Sequence, residues 1–320
     1  MQREFSADDG LRIFFDVYPA ARPRAAVQIA HGVGEHAGRY RALAEHLVAE
    51  GYTVYADDHR GHGRTGMEQW HGDASKLGRL GAGGLRAAVR DLRAFSGLIR
   101  DENPDLPLVL VAHSWGSLMG QMTLNHHADD YDAAVLSGTA YRMVGSMNSG
   151  DLNKRHAHLG TTGAEWLSRD PAVAQAFVDD PLCTLVPLQK LFGMADAARL
   201  LGRPARRLAR DLPLLIAVGG EDPLGGPASA RKLERAYRTR SGLSDVTTIV
   251  YPGARHEIFN ETNRLEVFSD LTAWLAPASP PAPDRSHRFL TFSRNTPDGG
   301  GRKCGRDGCP GRVLGWGHAW

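Results

Sequence analysis

The sharpest chemical signal in the chain is a serine set among small residues, Ala112-His113-Ser114-Trp115-Gly116. It follows the apolar run Leu108–Ala112, bounded by Pro107, and precedes a helical pattern. A serine in a strand-to-helix turn fits the Gly-x-Ser-x-Gly nucleophile elbow, with alanine in place of the first glycine. Such a turn projects the hydroxyl beyond the strand's carboxyl end, and small neighbours let strand and helix pass closely. The same five residues would also suit a helix N-cap serine, but the strand before and the helix after favour the nucleophile. A serine hydroxyl needs a base, and the base needs an orienting acid. Leu214–Val218 reads as a buried strand followed by Gly219-Gly220-Glu221-Asp222-Pro223. Asp222 is the expected acid; Glu221 is the fallback, since an Asp-Pro turn suits the shorter side chain. Val250–His256 reads as a strand end and a turn that presents His256, the expected base. Serine, then acid, then histidine is one of the chain orders known to assemble this device.

Nucleophilic attack on a carbonyl also needs donors for the oxygen that becomes negative. The Trp115 N–H, at a helix N-terminus, is one expected donor. The turn His31-Gly32-Val33-Gly34-Glu35-His36 follows an earlier strand, and its glycines permit close backbone approach. The Val33 N–H is the expected second donor, with His31 ordering the loop and Glu35 and His36 in support. Asp57–Gly66 is rich in Asp, His and Gly but lacks a Walker lysine and a ligand spacing, so a structural loop beside the site is expected. Cys304, Cys309 and His318 supply at most three soft ligands, short of a closed zinc site. Cys183 reads as a buried apolar residue. No metal and no cofactor are expected.

These residues must be held by a scaffold, and the scaffold pattern alternates. Strands are expected at Leu11–Tyr18, Ala25–His31, Thr53–Ala56, Leu108–Ala112, Ala133–Ser137, Leu214–Val218 and Thr247–Tyr251. Helices are expected at Arg39–Glu50, Leu85–Ile99, Ser117–His127, Ala228–Arg240 and Arg264–Leu275. That alternation argues an α/β fold with a mostly parallel sheet. Residues 140–205 are too long for one crossover and carry helical patches, so they are expected to form an inserted helical cap between two core parts, 1–139 and 206–276. Met143, Met147, Trp166 and Phe177, with Leu152, Leu159, Leu182 and Phe192, are candidates to line an apolar channel there. The alternative is that they simply pack the cap onto the core. The Gly/Pro/Arg-rich residues 277–320 are expected to be disordered.

Composition narrows the function. The chain has 320 residues, 42% hydrophobic and 23% charged, with a formal net charge of +2. The tail holds seven Lys and Arg against three Asp and Glu, so the body is nearly neutral and carries no nucleic-acid footprint. No apolar run reaches the ~18 residues of a membrane helix. The first ten residues lack a secretory h-region and three cysteines make no disulfide framework, so a cytoplasmic location is expected.

Taken together, His31–His36, Asp58-His59-Arg60-Gly61-His62-Gly63, Ala112–Gly116, Asp222 and His256 resemble the monoacylglycerol lipase/lysophospholipase branch of the α/β-hydrolase superfamily, the serine aminopeptidase S33-like group. The resemblance spans roughly residues 3–276 and extends to Trp166-Leu167-Ser168-Arg169-Asp170-Pro171 and Asp180-Pro181-Leu182-Cys183. The departures are Ala112 for glycine and Thr65 for serine. The resemblance implies an α/β-hydrolase fold, a cofactor-free acyl-enzyme on Ser114, and a monoacylglycerol or lysophospholipid substrate. It also leaves transient contact of the cap with lipid surfaces open. Serine at the elbow argues against the dehalogenase and epoxide-hydrolase branches, which use aspartate there. Alternatives are an S33-type aminopeptidase, with Asp179 and Asp180 as candidates for binding an α-ammonium, a non-lipid short-chain carboxylesterase, and a non-enzymatic binding protein.

Overall fold

The computed structural model describes residues 1–278. In chain order the strands are β1 (Gln2–Ser6), β2 (Arg12–Tyr18), β3 (Ala25–Ala30), β4 (Tyr52–Asp57), β5 (Leu108–His113), β6 (Ala133–Ser137), β7 (Leu214–Gly219) and β8 (Val246–Tyr251). The helices are α1 (Arg41–Ala49), α2 (Gly63–Gln69), α3 (Gly84–Glu102), α4 (Ser114–His127), α5 (Pro171–Asp179), α6 (Leu188–Arg199), α7 (Gly226–Ala236) and α8 (Arg264–Ala278). The strands form one sheet in the order β1-β2-β4-β3-β5-β6-β7-β8. Only β1–β2 and β2–β4 pair antiparallel. The other pairings are parallel.

Helices on both faces explain the unbroken apolar strands. In β5, Leu108, Leu110 and Ala112 face the layer of α3, α4 and α7, while Val109 and Val111 face that of α1 and α8. The same alternation runs through β7, with Leu214, Ile216 and Val218 on the first face and Leu215 and Ala217 on the second. From β3 the chain moves outward to β4, and from β5 it moves the other way to β6. Their carboxyl ends therefore border a crevice at the point where the strand order reverses, the usual ligand position in open α/β sheets.

Two elements depart from the sequence expectation. β1 is an edge strand of mostly exposed residues, so it lacks the apolar alternation that marks a strand. α2 lies in the expected loop, where buried Gly63, Thr65 and Gly66 give no helical apolar stripe. Between β6 and β7 the chain carries a 3-10 turn (Ala157–Leu159), α5 and α6. Asp170 caps α5 by accepting the Ala172 N–H, and Pro171 starts it. α6 is kinked at Gly193, whose φ is 74°. Pro277 and Ala278, expected in the tail, instead close α8. The rest of the expected disordered tail lies outside the described residues.

Candidate active site

Ser114 is the first residue of α4 and sits at φ 51°, in the left-handed region that non-glycine residues seldom occupy. The close approach of neighbouring backbone holds it there. A Cβ on Gly116 would lie 2.4 Å from the carbonyl oxygens of both Ala30 and His31, so β3 and α4 meet only because this residue is glycine. Ala112 is tolerated because α4 presents Gly120 to it; a Cβ on Gly120 would sit 3.5 Å from the Ala112 methyl. The expected helix began at Ser117. It starts one turn earlier, at the serine itself.

His256 Nε2 lies 2.8 Å from Ser114 Oγ, and its Nδ1 lies 2.9 Å from Asp222 Oδ1. A carboxylate only accepts, so Nδ1 carries the proton and Nε2 is free to accept from the serine hydroxyl. Asp222 Oδ1 also accepts the Leu224 N–H at 2.9 Å. The fallback acid Glu221 points elsewhere and pairs with Arg155 at the surface. His256 is sandwiched between His113 and Trp166, each ring centroid 4.8 Å away. Burial lowers the His256 pKa, but the charge and hydrogen bond of Asp222, with Glu257 and Glu35, more than offset this and leave it raised. His113 goes the other way: burial and the nearby charges of His256 and Arg39 hold it neutral.

Gly32, Val33, Ser114 and Trp115 line one wall together. As the second residue of α4, Trp115 has no intrahelical acceptor for its N–H. A Cβ on Gly32 would fall 3.0 Å from Ser114 Cβ. The Gly32 N–H donates to Glu35 Oε1 at 2.6 Å, which also accepts the Tyr40 hydroxyl at 2.7 Å. Arg39 bridges Glu35 (3.1 Å) and Glu257 (2.5 Å) beneath this turn. Burial and the Glu257 charge push the Glu35 carboxyl up, because one guanidinium serves two carboxylates. Arg39 and Glu257 had no local sequence signal, since their pairing spans 218 residues.

Three further histidines support the turn from below. His31 Nε2 accepts the His59 N–H, and the two rings stack at 4.1 Å. His62 stacks on Trp115 at 5.0 Å. Burial lowers both His31 and His62, the latter to about 4. Asp58 accepts the Ala37 and Arg64 N–H groups, and the Thr65 hydroxyl accepts the Phe14 N–H. The Asp57–Gly66 stretch thus acts as internal scaffolding.

The site opens into a cavity of about 780 Å³. Its walls include Met147, Leu152, Trp166, Phe177, Leu188 and Leu201 from the connection between β6 and β7. Met143 does not line it, contrary to expectation. Its backbone forms the turn that accepts the Ser146 and Met147 N–H groups, and the wall passes to Val144 and Met147 instead. Leu159, Leu182 and Phe192 are likewise absent from the lining; Phe192 packs on Trp115 at 5.1 Å. Asp179 and Asp180 also lie off the wall. Asp180 bonds His36 at 2.9 Å. Among the described residues, His36, Asp180 and Cys183 bring ligand atoms within 4.8 Å of one another. His36 and Asp180 already satisfy each other there, and burial holds the Cys183 thiol protonated. The tail residues Cys304, Cys309 and His318 lie outside the described residues.

This fold, with a serine–histidine–aspartate hydrogen-bonded chain at the carboxyl edge of its sheet, defines an α/β-hydrolase. The chain belongs to the family described as serine aminopeptidase, S33, whose model matches residues 21–263. It is 34% identical over 292 residues to monoacylglycerol lipase of Mycolicibacterium smegmatis, covering 86% of this chain and 96% of that one. It is 26% identical to human monoglyceride lipase, covering 84% and 88%. Among solved structures, a thermostable carboxyl esterase from Bacillus coagulans superposes with a TM-score of 0.74 at 23% identity, covering 87% of this chain and 98% of that one. The family and these relatives make the protein a carboxylic-ester hydrolase. No helix among the described residues is long and apolar enough to cross a membrane.

Proposed function

We propose that the protein hydrolyses esters of single-chain lipids, a monoacylglycerol or lysophospholipid, through an acyl-enzyme on Ser114. The observation that carries this reading is the Asp222–His256–Ser114 chain at one end of a large cavity with apolar cap walls. His256 takes the Ser114 proton as Oγ attacks the ester carbonyl. The Val33 and Trp115 N–H groups receive the oxyanion, each such donor being worth about 3 kcal/mol. His256 then protonates the leaving alcohol, and water, activated by the same base, releases the acid. Asp222 holds the imidazole tautomer and stabilises the imidazolium. Residues 140–205 act as the cap, with Met147, Trp166 and Phe177 against the acyl chain. The named monoacylglycerol lipase relatives favour a glycerol head group. Exposed Val144 and Met194 on the rim suit transient contact with a lipid surface. The sparse cysteines suit the cytoplasm.

A peptidase reading has one observation in its favour, the acidic Glu35 and Glu257 in the cavity wall. Arg39 bridges both carboxylates, so an α-ammonium would meet an occupied partner. The test is a p-nitrophenyl ester series from acetate to palmitate beside aminoacyl p-nitroanilides, with Ser114→Ala in parallel. The expected result is a rate peak at medium or long chains and a loss of about 10⁴-fold or more in the variant. Hydrolysis of anilides alone, or an unimpaired variant, would sink the proposal.

A further inference from the structure

The loop that carries His256 is bonded more extensively to the cap segment than a turn needs. The His256 N–H donates to the Trp166 carbonyl at 3.3 Å, and the Glu257 N–H to the Leu167 carbonyl at 2.7 Å. Arg255 Nη1 donates to the carbonyls of Glu165 (2.5 Å) and Ser168 (2.7 Å). In return, the Ser168 hydroxyl donates to the Asn260 carbonyl at 3.0 Å. The Trp166 ring meanwhile covers the His256 imidazole. At the junction lies Glu261, which is fully buried. One of its oxygens accepts the backbone N–H groups of Arg255 (2.7 Å) and Arg169 (3.0 Å). The other accepts Arg169 Nε and the Thr262 N–H, both at 2.9 Å. A carboxylate sealed from water that accepts from four N–H groups is a rigid clamp, because three backbone N–H groups would lose this partner without it. It fixes the residue before the base to a segment nearly ninety residues upstream in sequence.

We infer that the ribbon Glu165–Arg169 of the cap segment is part of the catalytic apparatus, holding His256 on Ser114, and that Glu261 is its positioning residue. This rests on the reading of Ser114, His256 and Asp222 given above. The cap segment then does more than wall the cavity: its Glu165–Arg169 strip sets the base, and the walls contributed by residues 184–201 are left to adapt to substrate. A small displacement of His256 is enough to matter, since about 1 Å of misplacement can cost about 10²-fold in rate.

The test compares Glu261→Gln and Arg169→Gln with the unaltered chain and Ser114→Ala. Active sites are titrated by the end-point of fluorophosphonate labelling, so that kcat is expressed per folded site. The readouts are kcat, KM for a soluble p-nitrophenyl ester, and the rate constant of labelling. Glu261→Gln should lower kcat and labelling rate together by about 10- to 100-fold, with KM within about twofold. Arg169→Gln, which keeps the backbone N–H contact, should lower both severalfold. A residue that only supports folding would reduce the number of titratable sites and leave their reactivity alone. Should Glu261→Gln fail to fold, the partly exposed Arg169 carries the test. Wild-type kcat and labelling rate per site in the folded variants would overturn the inference and leave Ser114 as nucleophile. Labelling or hydrolysis retained by Ser114→Ala would overturn the nucleophile and this inference with it.

Discussion

The floor and the roof of the cavity are built on different terms. The floor, made by Ser114, Trp115, Gly32 and Val33, hangs from the ends of two adjacent parallel strands in the middle of the sheet. Its neighbours are backbone carbonyls and buried histidines that leave no room for another atom. The roof comes from residues 138–213, which carry a nine-residue and a twelve-residue helix, the second broken at Gly193. Its side chains Val144, Val186 and Met194 remain exposed. The proposed catalytic groups are thus fixed by strand ends, where a one-atom change is felt, and the upper cavity wall by a segment that can accept change. The exception in the roof is the strip beside His256.

The sharpest way to break that contrast is to perturb the floor by a single methyl group. Gly116→Ala would place its Cβ against two β3 carbonyls, and should cost about 3 kcal/mol or more and prevent accumulation of folded enzyme at growth temperature. Ala112→Gly, by contrast, should leave kcat within about twofold and cost about 1 kcal/mol, the usual penalty of glycine in a strand. Chemical denaturation and ester hydrolysis of the two variants check this. Equal stability for both would show the floor to be as forgiving as the roof.

Acid separates the floor from the base above it. His62 titrates at about 4 when folded and near 6.5 when unfolded, and His31 is lowered in the same direction. The unfolded chain therefore binds more protons between these values. The stability contributed by neutral His62 is complete above about pH 6.5 and is lost as pH falls toward 4. The loss should reach about 3 kcal/mol at pH 4 for His62 alone. His256 is raised, so the acid limb of kcat/KM should lie above pH 6.5. Denaturant midpoints and kcat/KM measured from pH 4 to 8 should show activity failing first and the fold second. Coincident losses would mean that the two histidine environments are not distinct.

The smallest expected effects are in the roof. Met147→Ala should raise KM for long-chain esters by about 5- to 20-fold while leaving acetate unchanged, since each buried methylene is worth about 0.8 kcal/mol. Met143→Ala, off the wall, should leave both within error. A chain-length profile measured for the two variants would test whether the proposed acyl chain runs along this wall.

What could be read from the sequence follows the same division. Ser114, Asp222 and His256 were legible because each sits at the end of an apolar run, so strand periodicity pointed at them. The glycine turn at Val33 and the helix start at Trp115 were legible in the same way, and both residues line the cavity beside Ser114. Glu261 and Glu257 were not legible, because their partners Arg169 and Arg39 lie 92 and 218 residues away and no local pattern links them. Met143 and Met147 share one composition and one segment; only the turn between them decides which faces the cavity. β1 was missed for a different reason: an exposed edge strand is held by backbone pairing to β2 and has no apolar face to announce it.

The ribbon that bonds the His256 loop also limits how this enzyme can be recombined with its relatives. A chimera that exchanged the whole 140–205 segment would import a foreign strip in place of Glu165–Arg169, and a strip with a different backbone path or without an arginine at 169 would break contacts to the resident Arg255 and Glu261. Splice points placed after Asp170, where α5 begins with its own capping aspartate, leave that strip untouched. Residues 171–201 are therefore the portion to trade when a new acyl preference is wanted on an unaltered catalytic centre.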